Sequence, residues 1–288
     1  MSNLIYHYTS LRTLFSIIEN QSFWLTDLRS SMDKHEMDYA ERMIFEKGKA
    51  LLNQDVPKML PAHNFYSLSC TTYADSYFHF NSYADNCMGV AIGIDPNFLH
   101  YGVPNDQCYK LLGYHLYFAK VLYDPEEQKQ SIEQYIRNHC WAESEIDGLK
   151  DSILPDTYNA FLAVIKRPEF ALEQEVRFIY RQDYGGCKTV GVPLGDEKFF
   201  SLDDFLDVVG LDATSSFDRV KKLKYGYFGN RIRKYYEFSL KPFGMTNVIK
   251  SITIGPRSRQ NIDELNEYLA SHNISSIKVL KSNIELRD

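Results

Sequence analysis

Glu173-Gln174-Glu175-Val176-Arg177-Phe178-Ile179-Tyr180-Arg181 is the stretch on which the reading of this chain turns. By the two-residue period of a strand, Val176, Phe178 and Tyr180 fall on one face and Glu175, Arg177 and Arg181 on the other. Carboxylates and guanidiniums are costly to bury unless they are paired. The stretch therefore admits two readings. One is an edge strand with a solvated charged face, the plainer reading of these residues alone. The other is a central strand whose charged face points into a cleft, which the segments elsewhere in the chain favour, beginning with Tyr6-His7-Tyr8-Thr9.

Outward from it, residues 4–9 read as a short strand with His7 and Thr9 on one face. Ser10 stands as an N-cap to an amphipathic helix carrying Leu11, Leu14, Phe15, Ile17 and Ile18. Residues 23–26 form a second strand, and 27–34 a polar loop. A helix over 36–54 opens with Asp33 and Glu36 as acidic residues set against its macrodipole. Residues 65–70 are a strand, 71–86 an aromatic-rich irregular segment, and 89–95 a buried strand closed by Pro96. A strand at 116–123 precedes helices at 126–140 and 151–166. After 175–181 comes a turn at Gly185-Gly186, then a segment, 190–225, whose pattern is ambiguous and in which 199–209 suits strand or helix. Strands at 235–240 and 248–254, a turn at Gly255-Pro256-Arg257, a helix around Ile262, Leu265, Tyr268 and Leu269, and a last strand at 276–280 complete the chain. This alternation fits one mixed α+β domain over residues 1–288, with no linker or internal repeat.

The net charge of −6 gives no overall basic footprint for nucleic acid. Two local basic stretches, at 219–224 and 231–234, suit either a phosphate backbone or simply a solvated face, and the solvated face is the plainer reading. The five cysteines form no Cys-x-x-Cys pair, which with the absence of a signal peptide predicts reduced thiols in a cytoplasmic protein. No apolar run is long enough for a membrane span. Glycine-rich nucleotide loops, His-Glu-x-x-His and Gly-x-Ser-x-Gly are all absent. What remains is a set of separated polar positions: His7 and Thr9, Ser67 and Ser69 on one strand, aromatics through Tyr83, and Glu175 with Arg177. Each also has a structural explanation, as a satisfied core histidine, strand serines, a core ring, and a same-face ion pair.

In order, these segments resemble a bacterial family of unknown function, numbered twenty-nine seventy-one. The resemblance runs through Ile5-Tyr6-His7-Tyr8-Thr9-Ser10, Phe23-Trp24-Leu25-Thr26, Asp33-Lys34-His35-Glu36 and Tyr66-Ser67-Leu68-Ser69. It continues in Tyr83-Ala84-Asp85, residues 89–95, Glu173-Gln174-Glu175-Val176-Arg177 and Ile252-Thr253-Ile254-Gly255-Pro256. The chain departs from the family pattern at Met32, Phe80 and Val176, where asparagine and two tryptophans are usual. More distantly, the opening Tyr-His-Tyr-Thr, helix and short strand are similar to the start of ADP-ribosyltransferase-like domains. That resemblance implies a largely antiparallel, split central sheet flanked by helices. It implies NAD as substrate and a nucleic acid or protein as acceptor, in a toxin or phage-defence setting. By order and strand placement it makes Glu175 the catalytic carboxylate, with His7, Thr9, Ser69, Phe80, Tyr83 and Arg177 around NAD. Two alternatives stay open. One is a metal-dependent nucleotide or nucleic-acid enzyme using Glu173, Glu175 and Asp33 or Glu36. The other is a non-catalytic nucleotide-binding module.

Overall fold

The computed structural model describes residues 4–30, 35–52, 64–100, 116–142, 161–182, 223–228 and 231–286. Strand β1 (Ile5–Thr9) leads through Ser10 into helix α1 (Leu11–Asn20). The Ser10 hydroxyl accepts from the Thr13 N–H at 3.1 Å, satisfying one of the open donors of the first turn. Gln21, left-handed at φ 48°, ends the helix and turns the chain into β2 (Ser22–Asp27). Helix α2 (Glu36–Leu52), β3 (Asn64–Thr71), α3 (Tyr77–Tyr83) and β4 (Val90–Ile94) follow. Then come β5 (Leu116–Lys120), α4 (Pro125–Ala142), β6 (Glu175–Gln182), β7 (Lys224–Phe228) and β8 (Arg231–Ser239). The chain continues with α5 (Met245–Val248), β9 (Ile249–Ile254), α6 (Ile262–Ser271) and β10 (Lys278–Lys281).

These strands form one ten-stranded sheet, antiparallel except where β10 lies parallel to β9. Its centre is β3. One edge of β3 is fully occupied by β6, from Asn64↔Gln182 to Thr71↔Glu175, and β5 lies beyond β6. The opposite edge is shared. β2 takes it at Tyr66 and Ser67, and β1 takes it at Thr71. The sheet therefore forks there. One arm runs β1, β4, β9, β10 and the other β2, β8, β7. Among the described residues, Ser69, between the two attachment points, has no strand opposite it on that edge.

The fork also decides what β6 is. Val176, Phe178 and Tyr180 enter the main core with Leu14, Ile18, Phe98 and Phe238. On the other face Ile179 joins a second cluster with Ala40, Ile44, Phe65, Ile132 and Phe161. Both faces are thus covered, and the edge-strand reading is overturned. Residues 71–86 are not wholly irregular, because α3 occupies 77–83. Its aromatics do not form a buried stripe: Tyr77, Phe78 and Tyr83 keep solvent contact while His79 and Phe80 are buried. β7 begins in the last two residues of the 190–225 segment whose pattern was ambiguous. Arg181 lies in β6, but its side chain is outside the described residues, as are Asp33, the Gly185-Gly186 turn and 199–209. Of the helix expected over 151–166, only 161–166 is described. It leaves the helical conformation after Leu162, and Ile165 bridges Leu122 in parallel.

Candidate functional site

At the fork a cleft of about 890 Å³ opens over β3, walled by β1 and α1 on one side and β2 on the other. Its floor carries a cluster of charges from three distant segments. Arg177, 1% exposed, points its Nη2 at Glu36 Oε1 (2.6 Å) and Glu175 Oε2 (2.8 Å), and its Nη1 donates to the Ala163 carbonyl at 2.7 Å. Lys166 Nζ lies 2.5 Å from Glu173 Oε2, 3.3 Å from Glu175 Oε2 and 3.7 Å from Glu36 Oε2. Glu36, Glu173 and Glu175 against Arg177 and Lys166 leave one formal negative charge in surplus. Glu36, Glu175, Arg177 and Lys166 are all buried. The macrodipole role expected for Glu36 is therefore secondary to its ion pairs.

Neighbouring polar groups hold this cluster in shape. Burial by itself would raise the Glu175 carboxyl, but Arg177 and Lys166 outweigh it, with further bonds from Arg177 and the Ser69 hydroxyl, and hold it down at about 2. The Glu175 N–H donates to the Tyr123 hydroxyl at 3.1 Å. Tyr83 donates its hydroxyl to Glu173 Oε1 at 2.7 Å, and burial together with that carboxylate pushes its own ionisation up. His79 Nε2 lies 2.9 Å from the Glu173 carbonyl, so that nitrogen carries the proton. Its Nδ1 faces the Ser76 hydroxyl at 2.8 Å and accepts from it. On β1, His7 Nδ1 lies 2.8 Å from the Ser69 carbonyl. A carbonyl only accepts, so Nδ1 holds the proton and the neutral ring leaves Nε2 as an acceptor. Burial lowers the His7 pKa, and the bond to Ser69 partly offsets this.

The structure thus brings His7, Thr9, Ser69, Tyr83, Glu175 and Arg177 to one cleft. Arg177 turns both terminal nitrogens to its carboxylates and a carbonyl, so it acts by keeping Glu175 ionised rather than by offering a fork to a phosphate. Phe80 does not reach the cleft. It is 0% exposed and packs edge-on against Tyr8 with ring centroids 4.9 Å apart. Tyr8 in turn donates to the Tyr73 carbonyl and accepts from the Ser76 N–H, fixing the approach to α3. Lys166 went unread in the sequence. It follows a helical pattern and precedes Arg167-Pro168, and nothing local marks it as the partner of three glutamates. Among the described residues, no three His, Cys, Asp or Glu side chains stand so as to hold a metal ion. The carboxylates named for the metal-dependent alternative instead converge on an ammonium; Asp33 lies outside the described residues.

Residues 80–178 match the model of a family described as a protein of unknown function (DUF2971). The family match takes in Tyr83, Lys166, Glu173, Glu175 and Arg177 and stops short of His7, Thr9 and Ser69. No curated protein and no solved structure matches the chain. Among the described residues no helix is long and apolar enough to cross a membrane, and Cys70 and Cys87 are buried free thiols.

The cluster makes the fold acid-sensitive. Glu175 has a lower pKa folded (about 2) than unfolded (4.5), so the unfolded chain binds more protons between these values. Its contribution, on the order of 3 kcal/mol, is complete above pH 4.5 and lost as pH falls toward 2. His7 and His79, both lowered from 6.5, act in the same direction from a higher pH. Urea midpoints are expected to fall as pH drops below 6.5 and more steeply below 4.5. A midpoint constant from pH 7 to 3 contradicts this assignment.

Proposed function

We propose that this chain is an ADP-ribosyltransferase-like enzyme that cleaves the nicotinamide–ribose bond of NAD and transfers ADP-ribose to a nucleic acid or protein. The observation that carries the reading is the surplus carboxylate of the buried cluster, opening into the cleft that His7 also lines. The support lies in residue types, their order and their convergence, not in any matched protein.

Breaking the bond between ribose C1′ and the nicotinamide nitrogen sends its electron pair to the ring, which leaves neutral, and positive charge develops on the ribose. A carboxylate held ionised in a low-dielectric site stabilises that charge most where it forms. Glu175 meets this requirement because Arg177 and Lys166 keep it deprotonated without fully neutralising the cluster. His7 offers Nε2 as an acceptor for a ribose hydroxyl, and Tyr83, 38% exposed at the cleft wall, offers a ring face to the nicotinamide. The acceptor then attacks C1′ and gives up its proton. A cleft of about 890 Å³ falls within the roughly 300–1,000 Å³ of small-molecule sites.

The test is release of free nicotinamide from NAD by the wild-type chain, with and without added cellular nucleic acid and protein. Release that survives a chelator supports the reading. Release that needs magnesium or manganese turns it toward the metal-dependent alternative. A folded chain that releases none, yet is stabilised thermally by a nucleotide, is a binding module.

A further inference from the structure

The β7–β8 hairpin has no role in the reaction above, yet its composition is unlike the rest of the chain. From residue 224 to 236 it carries Lys224, Arg231, Arg233 and Lys234 and no acidic residue, within a chain of net charge −6. The first acid beyond, Glu237, is paired with Lys224. Near its turn the hairpin also exposes two tyrosine rings and an isoleucine. Tyr225 is 64% exposed, Tyr227 73% and Ile232 72%. Elsewhere on this arm the same residue types are buried, as in Tyr235, Tyr236 and Phe238.

Strand register sorts these side chains. Tyr225 faces Lys234 and Tyr227 faces Ile232, so two open rings and a cation share one face. Lys224, Arg231 and Arg233 share the other, which continues toward Trp24, stacked on Tyr235 at 4.3 Å. Arg233 and Tyr227 both reach the wall of the cleft. Burial and, after it, the neighbouring Arg231 lower the pKa of Arg233, so the two cations stand close together. Among the described residues β7 is the last strand of its arm, and Tyr227 and Arg233 place the ribbon beside the cleft mouth.

We propose that the β7–β8 hairpin is the docking surface for a single-stranded nucleic acid, which it delivers to the cleft as the acceptor. Cations that follow a phosphate backbone, interleaved with rings on which bases stack, are what such a strand requires. An acidic protein segment would use the cations but leave the rings exposed, and a duplex would hide its bases from them. The acceptor role rests on the transferase reading; the docking does not.

Binding of fluorescein-labelled single-stranded DNA and RNA of about 12 nucleotides to the full chain, without NAD, tests the docking by anisotropy. The wild type is expected to bind with strong salt dependence. Tyr225→Ala is expected to weaken binding about fivefold or more, and Lys234→Ala to reduce the slope of log K against log salt by ~0.7. Both positions are exposed and neither lines the cleft, so both variants should melt like wild type and keep acceptor-free nicotinamide release. Absence of binding at low salt overturns the proposal. So does undiminished binding by Tyr225→Ala, equal affinity for a blunt duplex, or tighter binding of polyglutamate. If the wild type releases no nicotinamide, the transferase reading falls while oligonucleotide binding still decides the docking.

Discussion

Replacing Arg177 with methionine is expected to lower the unfolding free energy by about 3–5 kcal/mol, measured by urea denaturation at neutral pH. Among the described residues Arg177 is the largest fully buried side chain, and methionine nearly fills its volume, so the loss is not mainly one of packing. It arises because Glu36 and Glu175 would stay buried with Lys166 as their remaining cation, and the Ala163 carbonyl would lose its donor. Two further results follow from that cause. The deficit should shrink as pH falls and the stranded carboxylates take up protons. Glu36→Gln should cost less in the Arg177→Met background than in the wild type, giving a coupling of roughly 0.5–3 kcal/mol. Simple additivity of the two substitutions would show that Arg177 and Glu36 do not act as a pair.

Glu175→Gln is expected to cut the rate of nicotinamide release by about 100-fold or more and to leave the chain folded. The fold survives because the other pairings remain. Arg177 keeps Glu36 and the Ala163 carbonyl, and Lys166 keeps Glu173. What disappears is the surplus negative charge, leaving two cations against two carboxylates at the cleft floor. An amide still accepts a hydrogen bond from a ribose or from Arg177, so the loss should fall mainly on kcat rather than on KM. A folded variant, even one of lower stability, whose release is close to wild type removes Glu175 from the chemistry. A melt that collapses instead assigns it to the fold.

The parts of this fold visible in the sequence are those governed by neighbours. Ser10 caps α1 because its hydroxyl needs only Thr13, and α6 begins at Asn261, whose side chain accepts from the Asp263 N–H. β4 is legible because every residue from Val90 to Ile94 is buried. The fork is not legible, because it depends on which strands share an edge of β3, and pairing across long separations leaves no local mark. The same limit hid Lys166, which meets Glu36 across much of the chain. Phe80 and Tyr83 could not be separated while their segment read as irregular. Once it is a helix, their different environments follow, with Phe80 in the core and Tyr83 over Glu173. The stretch around β6 could not by itself choose between a solvated and a buried charged face, because the partners of that face come from α2 and from 161–166, and neither was readable as near it.

On the edge of β3 where β1 and β2 part, Ser69 faces no strand among the described residues, and its carbonyl is taken by an imidazole instead. In a continuous antiparallel sheet every interior peptide group is consumed by the ladder. Here the main chain itself becomes part of the cleft wall, and its obligatory donors and acceptors must be met by side chains, solvent or a guest. Recognition built on peptide groups survives any change of side chain. Alanine scanning of this wall would therefore understate how much of the affinity it supplies, and the shortfall would be largest along the middle of β3.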